Sequence, residues 1–328
     1  MNRPMVWMFS GQGSQYDGMG RQLYAEERTF REWVDCGDVV VKSELGFSLT
    51  ETLYGRATDR RIPPLVKTIH SHPALYVLQY ALAQTVMGKG MRPQYVLGYS
   101  LGEFVAHSVA GTISYEEGLR AVIRQAQVLE ATCPYGGMLA ILDSLDVLRR
   151  FPGFSSVLEI AAVNSSEHFV VSGPEDSVQK FHAVLRDADV SSVILPVEFA
   201  YHSSHINQVV INDRLSLPEP RRPVHYRVVS SAYGGFVNAI EREYFGTVIR
   251  LPVRFDKTVR FLESMGEHLY LDLGPSGTLA NFVVRNLAPS SRSRGNAIMT
   301  PFGLGEAKLN ALLSKVSALS KSPVDRLL

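Results

Sequence analysis

Cysteine is nearly absent: the 328 residues hold two, Cys36 and Cys133. They are too few and too far apart for a disulfide framework or a metal-ligand spacing. Long apolar runs are missing as well, and nothing approaches the roughly 18 residues a membrane span needs. The run Met5-Val6-Trp7-Met8-Phe9 leads straight into a glycine turn. It is too short for a secretory apolar core and has no cleavage site. The expectation is a cytoplasmic protein with no membrane contact. Neither sign of charge is in excess: 33 Lys and Arg against 32 Asp and Glu give a formal +1. That balance supplies no global field for nucleic acid or an anionic surface, so an acidic partner must be met by a local basic patch. No internal repeat and no low-complexity stretch is visible.

What is there is a chain with 45% hydrophobic residues, long enough for one large domain or two ordinary ones. Residues 5–9 and 95–97 read as buried strands, and each runs into a glycine turn. The spacing predicts a helix over 72–89, with Pro73 in its first turn, and another over 101–110. Ser114 with Glu117 forms a capping box that opens a helix over 115–131. From residue 132 the texture changes. Strands at 138–142, 160–163, 169–172 and 193–197 alternate with helices near 143–150 and 174–188, the βαββαβ order of a small ferredoxin-like unit. Strand-like runs return at 226–231 and 268–273, residues 288–297 read as a basic flexible loop, and 305–320 as an amphipathic terminal helix. The order predicts a large α/β domain (1–131 and 200–305) interrupted by a small one (132–199), with a tail at 306–328.

The chemistry concentrates in two turns and one histidine. Gly98-Tyr99-Ser100-Leu101-Gly102, between a strand and a helix, has the pattern of a nucleophile elbow. The turn is so sharp that Cβ atoms on either side of Ser100 would clash. It also aims the Leu101 N–H where an oxyanion would form. Gly11-Gln12-Gly13-Ser14-Gln15 can be merely a turn, or can present a second amide, that of Gln12, beside the elbow. It lacks the Gly-Lys-Ser/Thr ending of a phosphate loop. Among nine histidines, His202 stands where the chain re-enters the large domain, whereas His168, His182, His225 and His268 have no supporting context.

These motifs, together with Phe199-Ala200-Tyr201-His202-Ser203 and Asp272-Leu273-Gly274-Pro275, occur in an order and spacing that resembles the malonyl-CoA:acyl carrier protein transacylase family and the acyltransferase domains of polyketide synthases. The resemblance runs over residues 4–303. It implies a large α/β-hydrolase-like domain with an inserted ferredoxin-like subdomain. It further implies a Ser100–His202 dyad, an oxyanion hole from the Gln12 and Leu101 amides, and a backbone carbonyl, at Arg254 in Leu251-Pro252-Val253-Arg254, that orients the imidazole. Asn164 matches an asparagine near the family's site and is expected to line the substrate pocket. Arg285, in Phe282-Val283-Val284-Arg285-Asn286, matches a region where the family places basic residues that meet the carrier protein.

Three departures separate the chain from the malonyl-using members. Their arginine, which grips a free carboxylate, aligns with Gln125; a register shifted by one would use Arg124 instead. Tyr99 replaces the family's common histidine before the serine, and its ring and hydroxyl are expected to line the acyl pocket with Tyr201. His72 replaces a glutamine that faces the site, either as a simple hydrogen-bonding residue or as an imidazole that holds a water. Together these resemble the free-standing acyl hydrolases of trans-acyltransferase polyketide synthases. The expected function is therefore release of neutral, acetyl-like groups from phosphopantetheinyl acyl carrier protein. No metal or cofactor is expected, because the phosphopantetheine arm belongs to the partner and coenzyme A could enter only as a thioester substrate. Two alternatives stay open: acetyl or malonyl transfer between coenzyme A and a carrier protein, and a non-catalytic docking subunit.

Overall fold

The run Met5–Phe9 shows no apolar alternation because, as strand β1, it is covered on both faces; Val6, Trp7, Met8 and Phe9 are all fully buried. In the computed structural model, residues 3–55, 65–208, 224–303 and 306–320 are described. The further strands are β2 (Tyr95–Gly98), β3 (Gly137–Ile141), β4 (Glu159–Ser165), β5 (His168–Gly173), β6 (Ser192–Ile194), β7 (Arg227–Ser230), β8 (Gly235–Val237), β9 (Val253–Arg254), β10 (Leu269–Asp272) and β11 (Arg294–Ala297). Six of them form one sheet in the order β11-β10-β1-β2-β7-β8, parallel except for the β7–β8 hairpin. Its register pairs Phe9 with Gly98. The two glycine turns that follow β1 and β2 therefore leave the sheet side by side.

The remaining strands form a second sheet, β6-β3-β5-β4-β9. Its first four members are antiparallel in the ferredoxin-like order. The fifth, β9, comes from outside 132–199 and lies parallel to β4, with Ala162 opposite Val253.

The helices are α1 (Arg21–Glu26), α2 (Arg28–Leu45), α3 (Leu49–Tyr54), α4 (Thr68–Gly88), α5 (Gly102–Ala110), α6 (Tyr115–Thr132), α7 (Glu175–Asp187), α8 (Tyr244–Arg250), α9 (Phe255–Glu263), α10 (Thr278–Asn286) and α11 (Glu306–Ser320). Ser114 and Glu117 close the expected capping box at the start of α6. One apolar cluster joins the two sheets, with Val6, Met8 and Leu97 from the large one and Met138, Ala162 and Val170 from the small one. The other face of the small sheet packs on Val178, Phe181 and Leu185 of α7.

Several local expectations need correction. Helix α4 starts at Thr68, so Pro73 lies inside it rather than in its first turn. The missing N–H there leaves one carbonyl of the preceding turn without its helical donor. The segment near 143–150 is a 3₁₀ helix over Leu145–Arg150. Residues 294–297 of the expected loop are β11, an edge strand whose single neighbour, β10, requires no apolar sequence.

Candidate active site

The elbow is shaped by what surrounds its glycines. A Cβ on Gly98 would run into the backbone of Glu103, and one on Gly102 into the carbonyl of Phe9. The steric demand therefore comes from neighbouring backbone, not from the two Cβ atoms meeting each other. A Cβ on Gly11 would sit 2.9 Å from both the Ser100 Cβ and the Tyr99 carbonyl, so the first glycine turn packs directly on the elbow. Tyr99 N–H donates to the Phe9 carbonyl at 2.9 Å. Ser100 is held at φ 55°, a left-handed conformation that non-glycine residues rarely adopt. The amides of Gln12 and Leu101 have no protein acceptor among the described residues. Behind the elbow, buried Glu103 accepts from Ser230 Oγ at 2.7 Å and from the Tyr244 hydroxyl, and burial pushes its pKa up to about 7. Asp272, of the fourth motif, accepts from the amides of Gly274 and Ala280 and so shapes a turn; burial raises its pKa to about 6.

Ser100 Oγ lies 2.8 Å from Nε2 of His202, and Nδ1 of the same ring lies 2.7 Å from the Leu251 carbonyl. A carbonyl oxygen can only accept. Nδ1 must therefore carry the hydrogen, and the Nε2 lone pair faces the serine hydroxyl. His202 is itself left-handed, at φ 60°, and its N–H donates to the Ile249 carbonyl at 2.9 Å. Burial pushes its pKa down to about 4, against the Leu251 bond, which raises it, and with Arg250, which lowers it.

The orienting carbonyl is thus Leu251, not Arg254. The carbonyl of Arg254 instead accepts from Thr258 Oγ1, while its N–H donates to Ser231. The reason lies in Pro252: the residue before a proline is driven out of the helical region. Leu251 is extended at φ −71°, ψ 145°, which ends α8 and turns its carbonyl toward the imidazole.

A cavity of about 50 Å³ opens on this pair. Gln12, His72, Gln125 and Tyr201 line it together with Tyr99, Ser100, Leu101 and His202, and the small sheet closes the other side with Met138, Ala162 and Val170, joined by Leu195 and Val197 of the segment that follows β6. Gln125 is fully buried in this wall, whereas Arg124 points outward and is exposed. His72 is buried, with a pKa pushed down by burial to about 3, and its Nε2 sits 3.4 Å from the Tyr201 hydroxyl, which also meets Thr68 Oγ1.

Tyr99 offers only its ring, because its hydroxyl donates to Asn164 Oδ1 at 2.9 Å. Asn164 does not line the cavity. It stands behind Tyr99, donating through Nδ2 to His168 Nδ1 at 3.0 Å. Arg285 is exposed on α10, outside the cavity and close enough to His168 to help lower its pKa. Among the described residues, no group of three His, Cys, Asp or Glu side chains could hold a metal ion, and no helix is long and apolar enough to cross a membrane. The Leu251 carbonyl and the small-sheet wall are absent from the sequence reading. A pre-proline position and the inward-facing residues of the small unit's strands were the available signals.

Comparison with known proteins bears on the family and the fold. The family described as acyl transferase domain matches residues 6–299. The chain is 38% identical over 304 residues to the polyketide biosynthesis acyltransferase homolog BaeD of Bacillus velezensis, covering 92% of this chain and 93% of that one. It is 36% identical over 314 residues to the homolog PksD of Bacillus subtilis, at 95% and 96% coverage. Among solved structures, a loading acyltransferase from the avermectin modular polyketide synthase superposes with a TM-score of 0.86 at 26% identity, over 95% of this chain and 99% of that one.

Proposed function

The chain belongs to the acyl transferase domain family, and we propose that within it this protein removes neutral acyl groups from phosphopantetheinyl acyl carrier protein in polyketide biosynthesis and hands them to water. His202 Nε2 takes the Ser100 proton as Oγ attacks the thioester carbonyl. The Gln12 and Leu101 amides receive the oxyanion. The tetrahedral adduct then collapses with loss of the pantetheine thiol, which takes the proton from His202. Water enters next, His202 accepts its proton, and Ser100 is regenerated as the acid departs. Arg285, exposed on α10, is the cation assigned to the acidic carrier surface.

The observation that carries the choice of acyl group is Gln125, fully buried in the cavity that opens on the Ser100–His202 pair. A neutral amide there cannot compensate a buried carboxylate, whose desolvation costs several kcal/mol without a cation. A second reading, transfer of the acyl group to another carrier thiol, shares the first half of the reaction and is favoured by the family's own description.

The test is to load carrier protein with acetyl or malonyl, add enzyme, and follow intact mass with and without a second, unloaded carrier. Acetyl is expected to leave as free acetate while malonyl stays on its carrier, and Gln125→Arg should restore part of the malonyl loading on Ser100. Acetyl arriving on the second carrier instead of in water identifies a transferase. Equal use of malonyl and acetyl by the wild type removes the role given to Gln125.

A further inference from the structure

The polar wall of the cavity has more hydrogen-bonding capacity than the protein uses. Neither Oε1 nor Nε2 of Gln125 has a partner among the described residues, although the side chain is fully buried. Nδ1 of His72 and Oε1 of Gln12 are in the same condition, and all three residues line the cavity next to Ser100. Gln125 gains nothing from its own helix, where the residues one turn away, Ala121 and Leu129, are apolar. Buried polar groups in folded proteins are normally paired. A side chain with a donor and an acceptor both left open, in the wall of a space that a reacting group must enter, is a site awaiting a partner on the ligand.

That partner is constrained from three sides. A saturated chain leaves both amide atoms unpaired and so wastes the polar wall. A carboxylate brings a full charge where no Lys or Arg stands among the described residues of the lining. A hydroxyl can donate to Oε1 or accept from Nε2, and an oxo group can accept from Nε2. The remaining wall, Met138, Ala162, Val170, Leu195 and Val197, suits the carbon chain, and about 50 Å³ limits that chain to a few heavy atoms.

We infer that the preferred substrate is a short, uncharged acyl group bearing a hydroxyl or oxo oxygen beyond its thioester carbonyl, read by Gln125 with His72 and Gln12 on the same wall. This rests on the acyl-enzyme reading above and adds a substrate class to it.

The experiment uses the pantetheine thioesters of butanoate, 3-hydroxybutanoate and 3-oxobutanoate. It measures acylation of Ser100 by intact mass and, separately, the free acid released. In the wild type the oxygenated thioesters should acylate Ser100 at least about tenfold faster than butanoyl, since a site built to pair an oxygen rejects the analogue lacking it. Gln125→Leu, close in volume, should invert the order by slowing the oxygenated substrates and speeding butanoyl. Comparing the ratio between the two proteins cancels the intrinsic reactivity of each thioester.

Butanoyl equal to or faster than both oxygenated substrates in the wild type overturns the inference, as does a ratio unchanged by Gln125→Leu. The two claims fail separately. Discriminating acylation with no acid released leaves the inference standing and sinks the hydrolase reading. Equal acylation rates for all three with acid released from each do the reverse.

Discussion

The hydrogen on Nδ1 of His202 decides what the serine can do. Held on the Leu251 carbonyl, it leaves the Nε2 lone pair facing Ser100 Oγ. Because burial sets the imidazole's pKa at about 4 rather than 6.5, the ring stays neutral far into the acid range, as the proposed role of base requires. Acylation of Ser100, followed as the burst in rapid-quench mass measurements, should be flat from pH 8 to near pH 5. It should fall only as the pH approaches 4, and a midpoint near 6.5 would contradict this burial argument. His202→Ala should slow the burst by roughly 10²–10⁴-fold, and Ser100→Ala should abolish it, both with thermal unfolding close to wild type. At this scale the serine was legible in the sequence because two glycines and a strand-to-helix change advertise it. His202 was legible only through a resemblance that spans the whole chain. The Leu251 carbonyl was hidden, since every residue has a carbonyl and nothing but Pro252 hinted at the direction of this one. Asn164 was named for the right neighbourhood but the wrong contact, because sequence cannot say whether a polar group faces a cavity or the back of its wall.

At the scale of elements, the elbow works because β1, β2 and α5 approach more closely than side chains permit. Gly102→Ala drives a Cβ into the Phe9 carbonyl; a backbone atom cannot rotate away as a side chain can. The expected cost is about 1–3 kcal/mol, the range for overpacking, read in chemical denaturation and accompanied by a loss of acyl-enzyme. Gly88→Ala, at the open end of α4 with nothing near its Cβ, should instead be neutral or stabilising by up to about 1 kcal/mol. The same physics explains which elements could be read in advance. Strands β1, β2, β7 and β10 are covered or half covered and announce themselves by apolar runs. The two-residue strand β9 is too short to leave a pattern, and β11 is polar because it forms the sheet's edge.

Over the whole molecule, burial moves titratable groups in two opposing directions. His70, His72, His107 and His202 are pushed down to between about 3 and 4. The unfolded chain, with histidines near 6.5, therefore takes up protons that the folded one refuses, and stability is lost as pH falls through 6.5 toward 4. Glu103 and Asp272 are raised to about 7 and about 6. Their contribution is complete below the ordinary carboxylate range and is lost as pH rises through 6 to 7. Four histidines outweigh two carboxylates, so the thermal midpoint should drop steadily from pH 7 to pH 4. Glu103→Gln, which deletes one opposing group, should gain stability relative to wild type as pH rises from 5.5 to 8.5. A constant difference across that range would remove Glu103 from the balance.

One short segment carries a consequence for recombining such proteins. Residues 251–254 orient the imidazole through Leu251 and, two residues later, supply β9 as the fifth strand of the small sheet. Crossover points at 132 and 199 look like natural seams for exchanging substrate-shaping modules between relatives. A chimera cut there takes its new module without the strand that module was built beside. The mismatch at the Ala162–Val253 pairing would be felt two residues away, as a histidine whose acceptor has drifted. Working hybrids should be those that carry residues 251–254 across together with 132–199.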